Sequence, residues 1–66
     1  MMANKKIYKV KVFNLEVRSS NISDFLEMER ILTKAAAFER NLGHLKDCET
    51  YNDIAANILK EIGAQI

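Results

Sequence analysis

The sequence predicts an α+β fold in one small domain spanning residues 1–66. A long bent or bulged β-strand, or a short hairpin, over about residues 6–17 precedes α-helices over about 22–42 and about 50–63. Three observations carry this reading. From Lys6 to Val17 apolar and charged residues alternate, the two-residue period of a strand. From Phe25 to Leu45, and again from Tyr51 to Ile62, apolar residues recur at steps of three and four, the period of helices. The chain has no proline and two glycines, which leaves little room for a linker between domains.

Within the first element the alternation changes phase. Tyr8, Val10 and Val12 fall on one face, while Phe13, Leu15 and Val17 fall on the other. A regular strand cannot bury both sets on one side. A bulge near Phe13, a turn at Asn14, or cover on both faces would each resolve this. The long bent strand is the favoured form, because Asn14 lacks the following glycine of a tight hairpin turn.

Arg18-Ser19-Ser20-Asn21 is a polar break before the first helix, with Asn21 or Ser23 expected as its cap. Asp24 and Glu27 put negative charge at the positive end of the helix dipole. One stripe of this helix holds Phe25, Met28, Leu32 and Ala35. A second holds Ile31, Ala35, Phe38, Leu42 and Leu45, and the two merge into one wide apolar face. Gly43 is the expected left-handed terminator. Residues 44–49 read as a polar connector, and Thr50 with Asp53 as the capping box of the second helix. Tyr51, Ile54, Ala55, Ile58 and Ile62 form that helix's apolar stripe, which Gly63 is expected to end.

A domain of this size buries only about 60% of the surface its unfolded chain exposes, so it commonly needs a further stabiliser. Cys48 is the only cysteine, which excludes an internal disulfide and suits a reducing, cytoplasmic setting. No segment reaches the ~18 apolar residues of a membrane span. The expected stabiliser is therefore a second copy. A homodimer with an intersubunit antiparallel ribbon is predicted, with Tyr8, Val10, Val12, Phe38 and Leu42 at the interface.

Charge is unevenly spread although the formal net charge is +1. Residues 1–18 hold Lys5, Lys6, Lys9, Lys11 and Arg18 against Glu16; residues 19–66 hold five basic residues against eight acidic ones. Lys9 and Lys11 share a strand face. Basic side chains on a two-stranded ribbon suit the major groove of DNA, but the favoured reading is that lysine on an outer strand keeps an edge soluble. The order strand, helix, helix behind Lys9-Val10-Lys11-Val12 superficially resembles ribbon-helix-helix DNA-binding proteins. That resemblance implies base-reading roles for Lys9 and Lys11 and phosphate contact at Thr50; Lys6 and Arg18, from the same basic segment, are further candidate nucleic-acid contacts. The sequence departs from the family where residues 13–22 separate strand from helix and where residues 42–50 lengthen the interhelical connection.

His44, Asp47, Cys48 and Glu49 lie close in sequence but lack the paired ligands of a structural zinc site, so no metal and no cofactor are expected. With neither a phosphate-cradling glycine loop nor a positioned nucleophile and base, the chain reads as non-enzymatic. The expectation is a small protein-binding regulator or inhibitor, its composition suited to a phage or mobile-element product. The alternative is a dimeric DNA-binding regulator using the basic ribbon.

Overall fold

A computed structural model describes residues 6–66. The chain forms an antiparallel hairpin, β1 (Tyr8–Val12) and β2 (Leu15–Ser19), followed by α1 (Ile22–Asn41) and α2 (Leu45–Gln65). The fold class is α+β, as the sequence predicts. Lys5, counted in the basic segment, lies outside the described residues.

The favoured single bent strand is in fact two strands. Val12 pairs with Leu15, Val10 with Val17 and Tyr8 with Ser19, so a two-residue turn at Phe13-Asn14 joins them. This register accounts for the change of phase. Paired residues sum to 27, an odd number, so even positions of β1 share a face with odd positions of β2. Tyr8, Val10, Val12, Leu15 and Val17 therefore all point the same way. Lys9, Lys11, Glu16 and Arg18 point the other. The turn escaped the usual signal because phenylalanine occupies its left-handed position: Phe13 has φ 58°. Its ring meets Tyr51 edge-on, with centroids 6.4 Å apart, which offsets part of the strain.

Val10, Phe25, Leu32, Ala55, Ile58 and Ile62 form the core. Tyr8, Val12, Val17, Ile22, Met28, Tyr51 and Ile54 pack around it half-buried. One stripe of α1 thus enters the core. Ala36, the middle of three alanines, is also buried.

The start of α1 is held from β2 rather than by the expected caps. Asn21 stands at the N-cap without a side-chain cap bond. The Ser19 hydroxyl instead donates to the Asp24 carboxylate at 2.6 Å and accepts from the Asn21 N–H at 3.0 Å. At the far end Gly43, with φ 84°, terminates α1 as expected. The Gly43 N–H donates to the Arg40 carbonyl and the His44 N–H to the Glu39 carbonyl, the paired bonds of a Schellman motif.

The second helix begins six residues earlier than the capping-box reading placed it. His44 is its N-cap, and Thr50 lies inside it, its hydroxyl donating to the Lys46 carbonyl at 3.0 Å. Once Gly43 has reversed the chain, nothing between Leu45 and Glu49 opposes helix. A threonine in a helix interior satisfies itself on the preceding turn. Gly63 does not end α2 but continues it.

Candidate functional site

The outer face of the hairpin gathers the basic residues that the sequence singles out. Lys9 stands directly opposite Arg18, and Lys11 opposite Glu16. Arg18 turns along its own strand to Glu16, with Nε 2.7 Å from Oε2. That neighbour holds the Glu16 carboxyl below the usual carboxylate range, by hydrogen bond first and by charge second. Lys6 sits apart, at the last turn of α2, where it donates to the Gln65 carbonyl and lies over the Tyr8 ring. Thr50, as an interior residue of α2 bonded to its own helix, is not at a helix N-terminus.

The backbone edges of the hairpin differ. Along β1, the Lys9 N–H donates to Gln65 Oε1 at 3.0 Å, and Gln65 Nε2 donates back to the Lys9 carbonyl at 2.6 Å. The Lys11 N–H donates to Glu61 Oε1 at 3.1 Å. Asn57 steadies the other Glu61 oxygen at 2.6 Å. Side chains of α2 thus take the place of a third strand. Along β2 the groups facing away from β1 belong to Glu16 and Arg18, and no described residue bonds to them. The ribbon-helix-helix likeness stops at this point: the hairpin closes within one chain, and the second edge of β1 is occupied.

Val10 is buried within the chain's own core, with Tyr8 and Val12 beside it. The other two expected interface residues lie elsewhere. Phe38 and Leu42 are 61% and 53% exposed, with Ile31 at 58% and Leu45 at 67%. The second apolar stripe of α1 therefore faces outward instead of merging into the buried face. Sequence periodicity shows such a stripe but not what lies opposite it.

Around the interhelical turn, Glu39, His44 and Asp47 each bring a ligand-type atom within 4.8 Å of the others. Of the residues weighed from sequence, Cys48 and Glu49 are not in this group, and Glu39 joins from the preceding helix. Nδ1 of His44 is 2.7 Å from Glu39 Oε1, a link between the end of α1 and the start of α2. Asp47 lies in the first turn of α2, at the positive end of its dipole. These local roles account for the grouping.

No helix among the described residues is long and apolar enough to cross a membrane. No family model matches the chain, and no curated protein or solved structure matches it. The functional reading therefore rests on the chain's own surfaces.

Proposed function

We propose that this is a non-enzymatic protein-binding module, a small regulator or inhibitor that seats the outer stripe of α1 in an apolar groove of its partner. The observation that supports this is the exposure of Ile31, Phe38 and Leu42, with Leu45 beyond them. Ile31, Ala35, Phe38 and Leu42 follow the i, i+4, i+7, i+11 spacing by which a helix anchors itself in a groove. An exposed apolar stripe on so small a chain costs solubility unless something covers it.

The test uses the full chain as bait in extract of its source cell, beside Phe38→Asp and Leu42→Asp variants checked for helicity by circular dichroism. A partner held by the wild type is then purified and titrated by calorimetry. Tenfold or greater loss of affinity in both variants, with Lys9→Ala unchanged, supports the reading. Equal affinity in all of them overturns it.

A second reading, a DNA-binding regulator, is favoured by Lys9, Lys11 and Arg18 lying together on the exposed outer face of the hairpin, where basic side chains can meet phosphates. Fluorescence anisotropy of a labelled duplex tests this. Binding that weakens steeply with salt and is lost in Lys9→Ala and Lys11→Ala supports it. No binding at low salt makes the basic face a solubility device.

A further inference from the structure

We propose that β2 pairs through its open edge with β2 of a second copy, antiparallel about a twofold axis at Val17, making a four-stranded sheet. The edge itself sets this register. The backbone groups facing away from β1 are those of Glu16 and Arg18. Pairing about Val17 lets the Glu16 N–H and C=O of each copy meet the Arg18 C=O and N–H of the other, four hydrogen bonds in all.

The side chains select the same register. On the outer face each Glu16 then stands opposite Arg18 of the second copy, two charge-complementary pairs related by symmetry. Registers that keep the faces aligned but centre on Glu16 or Arg18 set like charges opposite one another. On the inner face the two Val17 side chains meet. Leu15, which is 70% exposed although it lies on the core side of its hairpin, comes diagonal to Val17 of the second copy.

The assembly closes at two copies because the other edge of each hairpin is occupied by Gln65 and Glu61. It moves the expected intersubunit ribbon from β1 to β2. It leaves the α1 stripe uncovered, so it stands or falls independently of the partner reading.

Sedimentation equilibrium of the full chain tests it, with Glu16→Arg, Arg18→Glu and the double exchange Glu16→Arg/Arg18→Glu. Each single reversal sets like charges across both symmetric pairs, and should raise the dimer dissociation constant about tenfold or more. The double exchange restores opposite pairs and should return it towards wild type. Arg18→Glu also gains Lys9 as an opposite charge within its own hairpin, so it tests the interface even where Glu16→Arg fails to fold. A monomeric wild type, or a dimer indifferent to both reversals, overturns the proposal. A dimer lost in Phe38→Asp but not in Arg18→Glu assigns self-association to α1 and overturns it equally.

Discussion

The carboxamide of Gln65 grips the backbone of Lys9 from both sides, accepting its N–H at 3.0 Å and donating to its carbonyl at 2.6 Å. Residues 56 positions apart thus make the contact that a neighbouring strand would otherwise make. It fastens the hairpin along α2 and removes an edge that invites association. Gln65→Ala should cost about 1–2 kcal/mol, the range for two hydrogen bonds at a site water can reach. Urea denaturation measures that loss. Amide exchange locates it: the Lys9 amide should exchange faster while the Val10 amide, directed to β2, changes less.

The two glycines should respond to alanine in opposite directions. Gly43 has φ 84° and Gly63 is helical, and an added Cβ meets nothing within 4 Å at either site. Backbone conformation alone therefore decides. Gly43→Ala should destabilise by about 1–2 kcal/mol, the left-handed penalty of an L-residue. Gly63→Ala should stabilise by about 0.5–1 kcal/mol through helix propensity. A thermal melt that falls in both variants would contradict the helical placement of Gly63.

Phe13 sets strain against contact. Glycine at this turn would relieve a left-handed penalty of roughly 1–2 kcal/mol. It would also lose the aromatic pairing with Tyr51, worth about 0.5–1.5 kcal/mol, and the apolar area the ring covers. Adding the chain entropy of glycine, Phe13→Gly should be destabilising by about 1 kcal/mol. In a Tyr51→Ala background the same substitution should be close to neutral. A double-mutant cycle measures the difference.

The two phenylalanines of α1 should separate sharply. Phe25 is fully buried in the core, and its replacement by alanine should cost about 3–5 kcal/mol. That is enough to unfold most domains of this size, whose total stability is on the order of 3–10 kcal/mol. Phe38→Ala should stay within about 0.5 kcal/mol of wild type, being a surface change. Chemical denaturation of both variants checks the contrast.

Glu16 provides a pH test. Its carboxyl titrates below the ordinary range because Arg18 stabilises the charged form. Its contribution is therefore present above the unfolded pKa and is lost as pH falls through the folded one. Following the Glu16 carboxyl by NMR should show the depressed value, and Arg18→Ala should return it to the ordinary range. Unchanged titration in that variant would mean the ion pair does not persist in solution.

The sequence by itself determined the class of every element. Alternation from Lys6 to Val17 requires strand, and the stripes through Phe25 and Ile58 require helix, because these periods arise from local backbone geometry. It also determined the stop at Gly43, where a left-handed residue is needed and glycine adopts that conformation freely. Its change of phase at Phe13 held the hairpin in plain view, yet a phenylalanine turn lacks local advantage and forms because the hairpin buries one face on the helices, β1 against α2 and β2 against α1.

Tertiary structure decided the rest. Thr50-Asp53 offers a helix start, and the reversal at Gly43 overrides it by starting α2 earlier. Phe25 and Phe38 lie on helical stripes of equal apolar quality. Only the position of α2 and the hairpin buries the first and leaves the second outside. The edges of β1 and β2 are likewise equivalent as sequence; Gln65 and Glu61 close one of them because folding brings the last turns of α2 beside it. Local periods are set by neighbours a few residues away, whereas burial and edge satisfaction depend on residues that meet only in the folded chain.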